Sequence, residues 1–244
     1  MPRSNAAGIN ATSFVGAGRI VLEVTNETRG LRDVWAFNLD QELRTIGRVV
    51  QRYKFVAMDT EFPGVAFKVI GDFHSRVSYH YQSLRSNVNM LKIIQIGFTF
   101  MDEAVNKPPN YWTWQFNFKF SLTEDMCAQD SIDLLINSAI QFERHEKEGI
   151  DPAKFAQLFT VSGVVLPDDV KLICFHGAYD MAYLLKLLTN KPLPAEKSEF
   201  IEVMKIYFPA VYDFQYLVQT CMNLTGGLKT LADKLVLEPT GTRH

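Results

Sequence analysis

Two acidic residues stand two positions apart at the end of a short apolar segment. Asp59 and Glu61 follow residues 55–58, which are all apolar. Because side chains of a β-strand alternate between the two faces of a sheet, residues two positions apart point to the same face. Two neighbouring carboxylates disfavour each other's ionised form, and a divalent cation such as Mg²⁺ or Mn²⁺ would offset that repulsion. The pair therefore predicts a metal site at a strand end, although two solvated acids at an exposed strand tip remain the alternative.

A third acid, Asp180, stands between an apolar segment at residues 172–175 and a helical pattern. An acid in the first turn of a helix interacts favourably with the free N–H groups and the helix dipole, so a helix cap is one interpretation. A metal ligand is the other, and the position alone does not distinguish them. His176, four residues earlier, is a candidate base, although a lone histidine is more often structural.

The spacing of apolar residues predicts the elements that must hold these acids. Helical spacing predicts a helix over residues 38–53, which begins at Asn38 in an Asn variant of the capping box. Residues 55–58 predict a buried strand that ends at the Pro and Gly of positions 63 and 64. Aromatic and polar residues alternate strictly over residues 112–120, which predicts a strand with one wet face. We expect it to run antiparallel to a strand at 91–101, because the connection between them is short.

The second half of the chain has a different order of elements. Helices are predicted at 130–146, 151–159, 181–188, 197–207 and 228–235, and short strands at 172–175 and 211–212. An antiparallel meander followed by strands that alternate with helices predicts an α/β fold, with a mixed sheet flanked by helices. The first part of the chain is rich in Ala, Gly, Asn, Ser and Thr. We therefore expect a flexible arm over residues 1–31 and a single domain over residues 32–244.

The composition excludes several classes of protein. The 244 residues are 47% hydrophobic and 21% charged, which excludes disorder for most of the length. The net charge of −2 provides no overall positive field for nucleic acid. Three scattered cysteines predict neither a disulfide framework nor a zinc site, and favour a reducing compartment. No apolar run of 18 residues is present, so we expect no membrane-spanning helix.

Three segments together are far more specific than their parts. Residues 58–64 resemble the first exonuclease motif of the DEDD nucleases, residues 175–180 resemble the central motif with its third acid, and residues 227–232 resemble the helix that leads to the last motif. Within that superfamily the chain resembles the catalytic deadenylase subunits of the Ccr–Not messenger-RNA decay complex, from about residue 32 to residue 244. Supporting stretches lie at 34–35, 91–95, 114–118 and 122–131.

The resemblance implies a ribonuclease-H-like fold and 3′-to-5′ removal of poly(A) tails with release of AMP. It also implies four acids, a histidine and two divalent cations, Mg²⁺ or Mn²⁺. Asp59, Glu61 and Asp180 match three of the acids as metal ligands, and the histidine falls on His244. The fourth acid is expected five residues further on, past the last residue of this sequence. We therefore expect a metal-dependent deadenylase, with a catalytically weak or inactive interaction subunit of the same complex as the alternative.

The resemblance assigns a role to each matched residue. Asp59 would bridge the two ions, Glu61 would hold the ion that activates water, Asp180 would serve the ion beside the leaving 3′ oxygen, and His244 would accept the proton of the water. Phe62 is a candidate to stack on a nucleotide base, with core packing as the alternative. The implied partners are single-stranded poly(A) RNA, a helical scaffold subunit, a nuclease with leucine-rich repeats and antiproliferative adaptor proteins. We expect the protein in the cytoplasm and the nucleus, and no membrane partner.

Overall fold

The computed structural model describes residues 30–219 and 226–234. Most of the predicted arm, and His244, lie outside these residues. The strands are β1 (Gly30–Val34), β2 (Phe55–Glu61), β3 (Gln95–Met101), β4 (Tyr111–Asn117), β5 (Lys171–Cys174) and β6 (Val211–Asp213). The helices are α1 (Leu39–Val49), α2 (Arg76–Met90), α3 (Gln129–Asn137), α4 (Phe142–Glu148), α5 (Pro152–Thr160), α6 (Ala178–Thr189), α7 (Lys197–Tyr207), α8 (Phe214–Gln219) and α9 (Leu228–Lys234).

The described strands form one mixed sheet in the order β1-β4-β3-β2-β5-β6. β2 pairs antiparallel with β3, and β3 with β4, which is the predicted meander. β1 pairs parallel with β4, while β5 pairs parallel with β2 and with β6. The carboxyl ends of β2, β5 and β6 therefore meet at the same edge of the sheet. The predicted α/β class, with a meander plus parallel strands between helices, is confirmed.

The core lies on one face of the sheet, under α1, α5 and α6. Phe98 and Phe116 point to this face and are fully buried. Phe98 stacks on Phe159 of α5, with 4.9 Å between the ring centroids, and Phe159 stacks on Phe155 at 4.7 Å. The opposite face carries polar side chains, because residues that alternate with the core residues point there. Its members near the carboxyl end of β2 are Asp59, Glu61, Gln95, Gly97, Gln115 and Asn117.

Several predicted boundaries are wrong, for identifiable reasons. Residues 30 and 31, which we expected in the flexible arm, begin β1, because this short strand pairs with β4 about 80 residues away. The predicted helix 130–146 is two helices, α3 and α4, and Ala139 between them has a φ of 59° that a helix does not allow. Asn38 precedes α1 but makes no cap hydrogen bond to it. Its side chain instead accepts from the N–H of Trp35 and donates to the carbonyl of Asp33.

Two predicted elements, a helix and the alternating strand, are confirmed. α7 covers the predicted residues 197–207, and in β4 the buried Trp114 and Phe116 alternate with the half-buried Thr113 and Gln115, as the alternation of aromatic and polar residues predicts. Within the described residues, none of the helices combines the length and the apolar character that crossing a bilayer requires.

Candidate active site

Asp59 and Glu61 occupy the end of β2 on the polar face of the sheet. Asp59 is paired with Gly97 and Glu61 with Gln95 across the antiparallel ladder to β3. Asp59 is half-buried and Glu61 is buried. The structure thus places both carboxylates at a strand end on one face, as the spacing predicts. The alternative of two solvated acids does not describe Glu61, which is only 8% exposed.

A tight turn follows Glu61 and anchors the end of β2. The N–H of Gly64 donates to the carbonyl of Phe62 at 2.8 Å, and Gly64 has a φ of 85°, in the region that favours glycine. A Cβ on Gly64 would also collide with the side chain of Ser131 in α3. The carbonyl of Pro63 accepts from the N–H of Ala128 at 2.8 Å. The turn is therefore fixed against the start of α3, which restrains the position of the two acids.

Asp180 approaches the end of β2 from the other side. It lies in the first turn of α6, is 7% exposed, and its Oδ1 accepts a hydrogen bond from the hydroxyl of Thr60. Thr60 lies between the two acids in sequence, so its side chain points to the core face of the sheet. The hydrogen bond therefore brings a third carboxylate to the end of β2. Sequence spacing could not reveal this contact, because the two residues are 120 positions apart.

The carboxylates fit a hard divalent cation by their chemistry. Mg²⁺ in proteins is typically held by one or two carboxylates, and takes its other ligands from water and substrate phosphates. Within residues 30–219 and 226–234, no group of three or more His, Cys, Asp or Glu side chains is arranged to hold a metal ion by itself. The three acids therefore supply suitable oxygen ligands without forming a closed protein cage.

The pKa of a buried thiol reflects the negative charge at this edge of the sheet. Cys174, the last residue of β5, has its pKa raised to about 12, first by burial and then by the charges of Asp213, Asp180 and Asp59. The thiol consequently stays protonated at physiological pH and is not a nucleophile. Three carboxylates close enough to act on one thiol concentrate negative charge at this edge, and such a field attracts cations.

Aromatic rings lie directly beside the acids. Phe62 is 8% exposed, and its ring stacks on that of Tyr179 with centroids 5.1 Å apart and also contacts Tyr183 at 5.0 Å. Phe62 therefore offers little surface to a nucleotide base, and core packing describes it better than the predicted stacking role. Tyr179 is partly exposed, and burial raises the pKa of its hydroxyl while a hydrogen bond with Ser83 opposes the rise. Tyr179 is the more accessible ring, and its place next to Asp180 in sequence was the available signal.

Two further predicted residues have different outcomes. His176 lies in the loop before α6, where it is exposed and has a φ of 59°. His244 lies outside the described residues, so its predicted role stays a prediction. Sequence reasoning missed Asp213 at the end of β6, which accepts hydrogen bonds from the N–H groups of His176 and Gly177. An acid at the end of a predicted strand was the only sequence signal for it.

Comparisons with known proteins place this geometry in a family. The model of the CAF1 family ribonuclease matches residues 34–160 and 153–240. The poly(A) ribonuclease pop2 of Schizosaccharomyces pombe is 48% identical over 221 residues, which cover 91% of this chain and 66%, just under two thirds, of that protein. The Mg²⁺ and Mn²⁺ bound form of S. pombe Pop2p superposes with a TM-score of 0.83 at 50% identity, and the match covers 85% of this chain and 82% of that one. The yeast CAF1 co-crystallised with the NOT1 MIF4G domain has a TM-score of 0.72 at 37% identity, over 85% and 79% of the two chains.

Proposed function

Because this chain belongs to the CAF1 family of ribonucleases, we propose that it is a deadenylase, which shortens the poly(A) tails of messenger RNA from the 3′ end and releases AMP. The fold is the ribonuclease-H-like α/β fold that the resemblance implied. The observation that carries the proposal is the set of carboxylates at the end of β2. Asp59 and Glu61 lie on one face of this strand end, and Asp180 is hydrogen-bonded to Thr60, the residue between them.

Divalent cations are the cofactors of the proposed reaction. A relative with 50% identity was solved in a Mg²⁺ and Mn²⁺ bound form, and carboxylate oxygens suit both ions. We assign Asp59, Glu61 and Asp180 as their ligands, and propose that two ions bind. Bound ions of this kind lower the pKa of water and stabilise the charge that develops on phosphate oxygens.

The protein's own residues orient the substrate and the carboxylates. Thr60 donates to Asp180 and thereby fixes one of its oxygens at the end of β2. Opposite Asp59, a Cβ on Gly97 would have nothing within 4 Å, so the polar face keeps open space beside the acids. The partly exposed ring of Tyr179 is the surface on which we place a terminal base, since bases of single-stranded RNA stack on aromatic side chains. His244 is assigned as the proton acceptor only by the resemblance.

The interaction-subunit alternative rests on the absence of the fourth acid from the given sequence. The described residues contain no observation that favours it over the enzyme. We retain one element of it as a partner proposal. A yeast CAF1 was co-crystallised with the NOT1 MIF4G domain, so we propose that this chain binds a Ccr–Not scaffold subunit. The leucine-rich-repeat nuclease, the adaptor proteins and the location in cytoplasm and nucleus are further proposals from the resemblance.

The decisive experiment follows the removal of single nucleotides from the 3′ end of an RNA. RNA labelled at its 5′ end and ending in an adenosine tail is incubated with the chain and Mg²⁺ or Mn²⁺. We expect stepwise shortening that requires the metal and falls to background in Asp59→Asn and in Glu61→Gln, because each loses a charged ligand. Asp168→Asn, in an exposed turn before β5 at the opposite edge of the sheet, is the matched control and should keep the wild-type rate. Full activity of Asp59→Asn would contradict the assignment of the site, and equal shortening of other tails would contradict the poly(A) preference.

A further inference from the structure

The loop that leads into the helix of Asp180 has an unusual backbone. It consists of residues 175–177, between β5 and α6, and His176 within it has a φ of 59°. Left-handed backbone is uncommon for residues other than glycine, and persists only when the surroundings stabilise it. The cap residue of α6 is Gly177, which has no side chain to satisfy the free N–H groups there. Acceptors for this loop must therefore come from another element.

Asp213 supplies these acceptors from the neighbouring strand. The register of β5 and β6 pairs Cys174 with Asp213, so the carboxylate stands directly beside the start of the loop. Its Oδ1 accepts from the N–H of His176 at 3.1 Å and from the N–H of Gln215 at 3.0 Å, and its Oδ2 accepts from the N–H of Gly177 at 3.2 Å. Both oxygens are thus used on backbone groups, and one side chain fixes the loop before α6 to the start of α8.

The loop lies directly beside Cys174 and Asp180. A Cβ on Gly177 would lie 2.5 Å from the Cβ of Cys174 and closer still to its Sγ. The same point is 3.6 Å from the Oδ2 of Asp180. Gly177 therefore lies close against the side chain of Cys174 and near the carboxylate of Asp180, and any larger residue at this position would collide with Cys174. Because Gly177 is the cap residue of α6, a shift of the loop would be passed to the first turn of this helix, which carries Asp180.

We propose that Asp213 is a positioning residue for the catalytic carboxylate of Asp180. It holds residues 176 and 177 in the one backbone conformation that lets Asp180 reach Thr60 at the end of β2. Asp213 acts through the loop and touches neither substrate nor ion. This inference rests on the proposed metal-dependent function of Asp180 and adds a residue to that site.

The test compares Asp213→Asn with Asp102→Asn. Asp102 is a matched control, because it accepts from two backbone N–H groups, those of Ala104 and Asn106, in the turn between β3 and β4 at the other edge of the sheet. Asn at 213 replaces one acceptor oxygen by an NH₂ group that faces an N–H donor. We expect the amides of His176 and Gly177 to exchange hydrogen about tenfold faster or more in Asp213→Asn, and at the wild-type rate in Asp102→Asn.

A second readout separates positioning from general weakening of the fold. Mn²⁺ affinity, measured by titration calorimetry on the chain without RNA, should fall about 10- to 100-fold in Asp213→Asn. The Mg²⁺ concentration for half-maximal RNA shortening should rise by a similar factor, while KM for RNA changes little. Asp213→Glu keeps the charge but moves it by one methylene, and it should show the same changes. If Asp213→Asn does not fold, Asp213→Glu takes its place in both measurements.

The outcomes are distinguishable from failure of the proposed function. A wild-type chain that does not shorten RNA contradicts the deadenylase proposal, and the exchange and Mn²⁺ measurements then still decide the role of Asp213. Equal Mn²⁺ affinity of wild type and variants, or no Mn²⁺ binding by either, overturns the positioning role. Unprotected amides at His176 and Gly177 in the wild-type chain also overturn it.

Discussion

At the end of β2, one hydroxyl connects two elements that are far apart in the chain. Thr60 is 1% exposed and donates to Asp180, while its neighbours Asp59 and Glu61 point to the opposite face. A hydrogen bond to a charged group is stronger than one between neutral groups, and it fixes the orientation of the carboxylate. The Thr60 side chain, between the two acids, therefore belongs to the site because it orients the third carboxylate.

We predict that Thr60→Val lowers the rate of RNA shortening about 10- to 100-fold, because Val has the shape of Thr but cannot donate to Asp180. Leaving a buried acceptor without this donor should also lower the free energy of unfolding by about 1 to 3 kcal/mol. Single-turnover shortening assays and urea unfolding measure the two effects.

Thr99→Val is the matched control for this variant. Its hydroxyl is 2.8 Å from that of Thr113, a pair on the polar face of β3 and β4 that does not contact Asp180. This control should lose some stability and keep its activity. Wild-type activity of Thr60→Val would show that the hydroxyl does not position Asp180.

At the scale of elements, a lysine of α6 binds the carboxyl end of α2. The Nζ of Lys186 donates to the carbonyls of Val88, Asn89 and Leu91 at 2.6, 3.1 and 3.1 Å. The last carbonyls of a helix have no partner within it, so a cation there satisfies them and interacts favourably with the dipole. Burial, and to a smaller extent the charge of Lys92, lowers the pKa of Lys186. The contact fixes α6, which carries Asp180, against a helix of the first half of the chain.

We predict that Lys186→Met lowers the free energy of unfolding by about 1 to 3 kcal/mol, because Met fills the space of the stem but leaves half-buried carbonyls without a donor. Equilibrium urea unfolding measures the change. Lys205→Met, at an exposed position of α7, should change stability by less than about 0.5 kcal/mol. If both variants lose the same amount, the three hydrogen bonds do not stabilise the junction of α2 and α6.

At the scale of the whole molecule, we expect one buried histidine to make the stability depend on pH. His145 in α4 is fully buried, and its Nδ1 lies 2.8 Å from the carbonyl of Phe118. The carbonyl can only accept, so Nδ1 carries a proton, and in the neutral ring this bond selects the Nδ1–H tautomer. Burial lowers the pKa of His145 below its ordinary 6.5, the nearby Arg144 lowers it further, and the bond to Phe118 opposes both.

The sign of the pH effect follows from proton uptake. Below about pH 6.5 the histidine of the unfolded chain binds a proton, while the folded chain keeps His145 neutral to a lower pH. The unfolded state then binds more protons, so the free energy of unfolding should fall as the pH decreases below about 6.5 and stay unaffected by this group above it. We predict that His145→Asn, whose amide can still donate to Phe118, has a smaller decrease between about pH 7.5 and 5.5 than the wild type.

Urea unfolding at the two pH values measures that decrease. Ile132→Val, in the same apolar cluster as Phe142, is the control. It should lower stability at both pH values alike and keep the wild-type pH dependence. An unchanged pH dependence in His145→Asn would exclude this histidine as the source.

Local patterns in the sequence determined many of the elements and part of the site. The alternation of aromatic and polar residues predicted β4, helical spacing predicted α7, and the apolar run before two acids predicted the end of β2. These features depend on residues a few positions apart, for which burial of one face gives a clear period. The same reasoning placed Asp59 and Glu61 on one face, and the order of elements predicted the mixed sheet.

Contacts between distant residues were decided only by the tertiary structure. The bond from Thr60 to Asp180, the carboxylate of Asp213 on the loop before α6, and the pairing of β1 with β4 each join residues that are tens of positions apart or more. The burial of Phe62 against two tyrosines is of the same kind. Spacing along one segment carries no information about which other segment will pack against it. The identity of the acids could therefore be predicted from the sequence, whereas the groups that hold and orient them could be seen only after the chain had folded.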